Sequence, residues 1–235
     1  MMLNNVIVLL ILSAGAIASV LLKKLTVPAA LTGGVVGWLV FAGGGYTGLG
    51  MLAAFFVLGT AATSWKKHQK GSATQTTRTA GQVLANGGVA ALAGLGALVF
   101  PTHRHLFELA MTGSLASATA DTLSSELGMV YGRRFYNIVT WKPDLKGMDG
   151  VVSIEGTLIG VAGSAVIALL YAATHRSLAA IGIILLSGTI GNLVDSILGA
   201  ALERKGFIGN DMVNFLNTLT AGLMAGVLAY ITSNP

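Results

Sequence analysis

Eight long apolar segments divide the chain, and short polar segments separate them. The apolar segments are residues 5–22, 28–43, 46–64, 80–100, 106–131, 153–173, 179–202 and 211–232. Most approach the length of about 20 residues that a helix needs to cross a bilayer. None shows the strict alternation of a membrane β-barrel strand. The pattern predicts an all-α fold, a polytopic membrane helix bundle of about eight transmembrane helices with short, glycine-rich second and third helices.

The composition supports this class of protein. Of 235 residues, 54% are apolar and only 10% are charged, and the mean hydropathy is +0.76. These values exclude an ordinary soluble domain and indicate a single integral-membrane domain over residues 1–235. The chain has no cysteine, which excludes disulfides and thiolate-bound metals. The first apolar segment has no basic stretch before it and no A-x-A-like site after it, so we expect an uncleaved span.

The positive charges predict an orientation. Twelve of the fourteen basic residues follow odd-numbered helices: Lys23, Lys24, Lys66, Lys67, Lys70, Arg78, Arg133, Arg134, Lys142, Lys146, Arg204 and Lys205. The two others, Arg104 and Arg176, lie on the other side. The positive-inside rule places the twelve in the cytoplasm and both termini outside, as in a bacterial inner membrane. This distribution explains the net charge of +5 without nucleic acid as a partner.

Two aspartates in the predicted spans are the strongest candidates for chemistry. They lie on stripes of small residues, Gly113, Ser117, Asp121 and Ser125 on the fifth helix and Gly191, Asp195 and Gly199 on the seventh. Such stripes face neighbouring helices, and both aspartates have similar depth. Close carboxylates repel each other unless a cation lies between them, and Mg²⁺ suits such oxygens. Asp121 and Asp195 are therefore predicted catalytic metal ligands; the alternative is that each pairs with Ser, Thr or Asn.

Glu126 is a third catalytic candidate on the fifth helix. It lies five residues after Asp121, so the two side chains diverge by about 140° on an ideal helix. Glu126 is therefore expected to serve a different ligand, or else to pair with a loop arginine.

The segment between the fifth and sixth helices is a candidate phosphate site. Glycines bracket Asp149, and Ser153 is the predicted N-cap of the sixth helix, with Gly156 in its first turn. A helix N-terminus favours anions, and Arg133 and Lys142 lie nearby in the sequence.

Polar side chains also mark two other helix starts on the same side. Arg78, Gln82 and Asn86 share a stripe at the start of the fourth helix. Asn210, Asn214 and Asn217 share another at the start of the eighth. The predicted substrate- or nucleotide-binding residues among them are Arg78, Gln82, Asn86, Asn210 and Asn214, although amides in spans often only form hydrogen bonds with a neighbouring helix. The four histidines lie in loops without ligand spacing, so no zinc site is expected.

Four ordered motifs resemble those of one membrane family. They are RxxxQVLANGG at 78–88, ADTxxxELG at 120–128, GxDGxxSxxGT at 147–157 and DSxLGA at 195–200. The family contains the plastid phytyl-phosphate kinases of vitamin E synthesis and many uncharacterised bacterial, archaeal and animal relatives. The resemblance covers about residues 25–230, and Leu123 stands where the family typically has Trp. The chain is also similar, more distantly, to CTP-dependent phytol and dolichol kinases.

The resemblance implies an integral-membrane kinase that converts an isoprenoid monophosphate, phytyl or polyprenyl, to the diphosphate. It implies Mg²⁺ as cofactor and a nucleoside triphosphate, CTP or ATP, as co-substrate at the cytoplasmic side. Buried acids and glycine-rich helices also fit a cation-coupled transporter, and a related CTP-dependent lipid-nucleotide transferase would use the same ligands. The outer halves of the predicted helices carry few polar residues, which favours an enzyme open to the cytoplasm.

Overall fold

The computed structural model describes residues 2–70 and 77–233, where it has seven α-helices. Residues 71–76 of the predicted loop 65–79 lie outside the described part. The helices are α1 (Met2–Leu21), α2 (Val27–Ser64), α3 (Ala80–Val99), α4 (Arg104–Tyr131), α5 (Ile154–His175), α6 (Leu178–Leu198) and α7 (Asn210–Ser233). Short 3₁₀ turns occur at Lys67–Gln69 and Pro101–His103. Two strands of two residues each, β1 (Tyr136–Asn137) and β2 (Val151–Val152), pair in an antiparallel ribbon. The all-α prediction is confirmed.

The long helix α2 is a hairpin of two limbs. Gly45 interrupts it with φ 60° and ψ −154°, a conformation that favours glycine because it has no Cβ. At the far ends of the limbs, Lys24 Nζ donates a hydrogen bond of 2.9 Å to Ser64 Oγ. The chain therefore crosses and returns within α2. The two limbs correspond to the predicted second and third helices, which is why eight predicted helices become seven.

Helix α4 is the centre of the bundle. It packs against α2, α3, α5, α6 and α7. Among the described residues, six helices are long and apolar enough to cross a membrane, namely α1, α2, α3, α5, α6 and α7. The more polar α4 is surrounded by all of these helices except α1, so its hydroxyl and carboxyl groups are shielded from lipid.

The connections define two ends of the bundle. At one end, Thr26 N donates to Arg78 O (3.1 Å) and Lys146 Nζ to Gln69 O (3.2 Å). We call this the basic end, because the described parts of the loops that precede α2, α3, α5 and α7 gather there with the twelve basic residues. At the opposite end, Arg104 Nη2 donates to Gly43 O (2.8 Å) beside the α2 turn. The predicted segregation of charge is thus present in the fold.

The apolar core lies toward the opposite end. Its largest members include Val40 and Met51 beside the α2 turn, Leu115 on α4, and Ile167 and Ile184. The polar side chains around Asp121, Asp195 and Asn217, on α4, α6 and α7, lie on the basic side of this core. The fold therefore leaves its polar interior next to the basic end.

Candidate functional site

Two polar cavities lie side by side at the basic end. The first, of about 200 Å³, is the arginine-side cavity, lined by Lys24, Thr60, Thr63, Arg78, Gln82, Asn86, Asp121, Thr122, Ser125, Glu126, Asp195, Asn210 and Asn214. The second, of about 220 Å³, is the loop-side cavity, formed by 147–153, the ends of α4 and α6 and the start of α5. Ser125, Asp195 and Asn210 line both cavities. A ligand in one cavity would therefore lie next to a ligand in the other.

Asp121 and Asp195 lie at the junction of the two cavities. Helices α4 and α6 approach closely there, since a Cβ added to Gly191 would collide with Ser117. The predicted small-residue stripes are thus confirmed as contact faces. The two carboxyl groups lie within hydrogen-bonding reach of each other. Asn217 Nδ2 donates to Asp195 Oδ2 at 2.6 Å, and Ser125 lies within hydrogen-bonding reach of Asp121.

The oxygen atoms at this junction fit a cation whose coordination shell is completed by water or by oxygens of a bound ligand. The described residues contain no group of three or more His, Asp or Glu side chains placed to hold a metal. Two carboxylates with amide and hydroxyl oxygens nearby suit Mg²⁺, which usually retains water or phosphate oxygens. The contacts to Asn217 and Ser125 also meet the alternative expectation, in which amides and hydroxyls satisfy the aspartates.

Amides at the start of α7 form a chain that leads to Asp195. Asn214 Nδ2 donates to Asn210 Oδ1 (3.0 Å), and Asn217 Nδ2 lies 3.5 Å from Asn214 Oδ1. Asn217 also accepts a bond from Ser117 Oγ at its Oδ1 (3.1 Å), so both sides of its amide are fixed. The predicted gathering of these asparagines beside the acids is present.

Arg78 is the main cation of the arginine-side cavity. Its guanidinium lies over the ring of Phe55, 5.4 Å from the centroid. A Cβ on Gly59 would come within 2.7 Å of Arg78 Nη2, so the glycine makes room for the guanidinium. Burial lowers the pKa of Arg78, and the charge of Glu126 opposes this shift. An arginine remains charged in proteins, so this buried cation attracts an anion.

The two amides on α3 complete this wall of the cavity. Gln82 forms the predicted stripe with Arg78, and its side chain caps the helix by accepting from Thr79 N (2.9 Å). Asn86 donates to Gln82 O (3.0 Å). Its Oδ1 is buried and has no hydrogen-bond partner among the described residues. A buried amide oxygen without a partner is costly, so a ligand with a donor would be favoured here.

Glu126 forms an ion pair with a lysine. Lys70 Nζ lies 2.8 Å from Glu126 Oε2, and the lysine side chain is fully buried. The same ammonium also donates to the carbonyl of Ala62. Of the two expectations for Glu126, a different ligand or a loop arginine, the structure is nearer to the second, with a loop lysine in place of the arginine. This pair attaches the segment after α2 to α4 at the edge of the arginine-side cavity.

The loop-side cavity combines a helix N-terminus with acids. Ser153 is the N-cap of α5, as predicted, and accepts from Gly156 N at 3.1 Å. Asp149 and Glu203 line the cavity together with Asp195, close enough to repel it. The described lining includes no basic side chain. A polyphosphate would therefore enter this cavity most favourably with its cation.

Glu203 and Asn192 are site residues that the sequence reading missed. In an ideal helix Glu203 would lie about 80° from Asp195. However, residues Gly199–Glu203 form a π-helix, in which Arg204 N bonds Gly199 O. The wider turn rotates Glu203 back toward Asp195 and the cavity. Asn192 accepts a hydrogen bond from Ser124 Oγ at 3.0 Å and also lines the cavity. The signal available in the sequence was its position directly after Gly191, the first residue of the small-residue stripe.

Two predicted binding residues lie outside both cavities. Arg133 is 87% exposed, and its Nε lies 4.0 Å from Glu155 Oε1. Lys142 is also exposed. The reason is the fold of the loop between α4 and α5, whose ribbon turns these side chains toward solvent.

An ion pair attaches this loop to the end of α6. Arg204 Nη1 lies 2.6 Å from Asp144 Oδ2. This hydrogen bond is the main cause that holds the pKa of Asp144 below its ordinary value. The pair fixes the loop that forms one wall of the loop-side cavity.

The fold and the site together define a helical membrane protein with two polar cavities that meet at an aspartate pair. One carries basic residues as well as acids, and the charged residues of the other are acids. No solved structure matches the chain. The chain belongs to the integral membrane family DUF92, whose model matches residues 9–222. This confirms the resemblance to a single membrane family that the ordered motifs indicated.

Three relatives show the breadth of this family. The chain is 34% identical to an uncharacterised membrane protein of Methanocaldococcus jannaschii, over 84% of the chain and 82% of the relative. It is 31% identical to an uncharacterised membrane protein of Synechocystis, over 91% of the chain and 87% of the relative. It is also 31% identical to the chloroplastic protein VTE6 of Arabidopsis thaliana, over 85% of the chain but 62% of that longer protein.

Proposed function

We propose that the protein is an integral-membrane kinase that transfers a phosphoryl group from a nucleoside triphosphate to an isoprenoid monophosphate. The observation that carries this proposal is the meeting of two different cavities at one aspartate pair. One cavity holds Arg78 and Lys24 beside its acids, and these two cations suit the phosphate of a lipid. The other holds acids and the α5 N-terminus, which suit a cation-bound polyphosphate.

The reaction requires in-line transfer between neighbouring phosphates. An oxygen of the isoprenoid monophosphate attacks the γ-phosphorus, a new P–O bond forms, and the bond to the β-phosphate oxygen breaks, which releases the nucleoside diphosphate. Such transfer depends mostly on positioning and charge neutralisation. Arg78 would hold the accepting phosphate, and Asn86 Oδ1 would accept a hydrogen bond from a protonated oxygen of that phosphate. The α5 N-terminus at Ser153 would orient the donor.

Mg²⁺ is the cation that we propose for the junction, with Asp121 and Asp195 as its protein ligands. Bound there, it would neutralise charge on the transferred phosphoryl group. Asn217 fixes the rotamer of Asp195 through its 2.6 Å hydrogen bond. Glu126 is engaged by Lys70, and we assign it a structural role.

The resemblance to phytyl-phosphate kinases and the similarity to the chloroplastic protein VTE6 support an isoprenoid phosphate as substrate. The basic end would face the cytoplasm, where nucleoside triphosphates are found.

The test is product formation by the purified protein in detergent or nanodiscs. Phytyl, geranylgeranyl or farnesyl monophosphate is incubated with Mg²⁺ and CTP or ATP, and lipid and nucleotide products are measured by mass spectrometry. The proposal requires isoprenoid diphosphate and nucleoside diphosphate in equal amounts. Inorganic pyrophosphate with a nucleotide-linked lipid would identify a transferase instead. Stabilisation by Na⁺ alone, with no nucleotide-dependent product, would favour the transporter.

A further inference from the structure

An apolar groove of about 230 Å³ lies between α1, both limbs of α2, and α3. Leu12, Leu52 and Phe56 are among its apolar walls. At one end it is lined by Arg78, Gln82 and Asn86, which also line the arginine-side cavity. A polar space and an apolar space thus meet at the guanidinium of Arg78. We call the apolar space the chain groove.

Three glycines widen the chain groove. Gly15 on α1 and Gly33 and Gly34 on α2 line it, and a Cβ added at any of them would meet no atom within 4 Å. They differ from Gly43, where an added Cβ would collide with the backbone of Gly94. Glycine is unfavourable inside helices relative to alanine. Close packing does not account for these three glycines, whereas the width of the groove does.

We propose that the chain groove binds the isoprenoid chain of the monophosphate substrate, and that Gly15, Gly33 and Gly34 determine which chains fit. This inference rests on the proposed kinase function. The groove extends along α1 from Ser19 to Ile11, about 12 Å at a rise of roughly 1.5 Å per residue. Methyl branches make an isoprenoid chain wider than a straight acyl chain, and the open positions at the glycines provide that width.

Arg78 explains why the occupant is a lipid phosphate rather than a neutral lipid. Its guanidinium stacks on Phe55, which lines the groove, and also faces the polar cavity. An amphiphile with its phosphate on Arg78 would place its first chain carbons at the groove entrance. The same phosphate would then lie beside Asp121 and Asp195.

Substitutions that fill the groove test the inference. Gly33→Leu and Gly34→Leu should lower kcat/KM for phytyl monophosphate relative to geranyl monophosphate by about tenfold or more, since single methylenes already change specificity by roughly tenfold. Gly50→Leu is the matched control. Gly50 is also on α2 with open space around its Cβ position, but it lines no wall of the groove. An unchanged substrate ratio in active Gly33→Leu and Gly34→Leu would overturn the inference.

Two further measurements keep the test decisive. If size-exclusion chromatography shows that the leucine variants are unfolded, the ratio of kcat/KM for phytyl and geranyl monophosphate is measured in Gly33→Ala and Gly34→Ala. An unchanged ratio in these variants would again overturn the inference. Separately, phytyl monophosphate with a diazirine on its chain should crosslink to α1 or α2 in the wild-type protein. Excess unlabelled phytyl monophosphate should prevent this, and phosphatidic acid should not.

The crosslink reports on the groove without turnover. Leu84 and Phe215 line a separate apolar groove between α2, α3 and α7. Label on these two residues, or competition by phosphatidic acid, would overturn the inference. Correct labelling with no diphosphate from any isoprenoid monophosphate would overturn the kinase function and leave the groove as a lipid-phosphate site.

Discussion

At the scale of single residues, Asp121 and Asp195 are the groups on which the proposed chemistry depends. Asp121 is almost fully buried on α4, and Asp195 faces it from α6. Two carboxylates at this distance repel each other unless a proton or a cation is shared between them. Exchange of either for an amide should relieve that repulsion and remove the capacity to hold Mg²⁺.

We expect Asp121→Asn and Asp195→Asn to fold but to lose activity. Turnover should fall by at least about a hundredfold, because even the loss of a residue that only hydrogen-bonds to a metal ligand can have an effect of that size. Nucleotide with Mg²⁺ should raise the thermal unfolding temperature of the wild type by mass action. Neither variant should show this increase.

The matched control for the aspartate variants is Asp211→Asn. Asp211 is an exposed acid at the start of α7 and lies outside both polar cavities. Its replacement should leave turnover and nucleotide stabilisation unchanged. Full activity in Asp121→Asn or Asp195→Asn would remove that residue from the proposed metal site.

At the scale of secondary-structure elements, the loop between α4 and α5 forms a wall of the loop-side cavity and is fixed by the Arg204–Asp144 pair. Arg204→Gln should raise the rate of tryptic cleavage after Lys146 about two- to fivefold, as expected for a partly exposed ion pair. The KM for nucleotide should rise, and that for the isoprenoid phosphate should not. Arg134→Gln, at an exposed position of the same loop, is the control.

The pH dependence of this attachment follows from the lowered pKa of Asp144. A carboxyl with a lowered folded-state pKa stabilises the fold above its ordinary pKa of about 3.9, and this contribution is lost as pH falls through the lowered value. Cleavage of the wild-type loop relative to an unstructured peptide should thus be constant from neutral pH down to about pH 5. A strong increase within that range would contradict the assignment, as would an unchanged cleavage rate in Arg204→Gln.

The sequence predicted helices and their polar faces better than the loop positions. The α2 limbs, the α4 and α6 stripes and the Ser153 cap follow from local periodicity and capping, which a single sequence contains. Glu203 was missed because the π-helix changes the angular position of its side chain. Arg133 and Lys142 were expected near phosphate on sequence proximity alone, whereas tertiary contacts of the loop decide where such side chains point.

At the scale of the whole molecule, the gathering of basic loops predicts one orientation in the membrane. Alkaline phosphatase fused after residue 70 or 148 should be inactive because it stays in the cytoplasm, and fused after 103 or 176 it should be active. The reverse pattern would place the polar cavities away from nucleotides and would contradict the kinase proposal.

The central position of the polar helix α4 also has a consequence for synthesis of the chain. Asp195 follows Asp121 by 74 residues, which corresponds to roughly 4–15 s at about 5–20 residues per second. During that interval α4 lacks α5, α6 and α7, which later cover its acidic face. We expect the nascent protein to depend on an insertion factor that shelters α4 until α6 arrives. The acids that the proposed site requires would then also be the residues that create the need for this factor during synthesis.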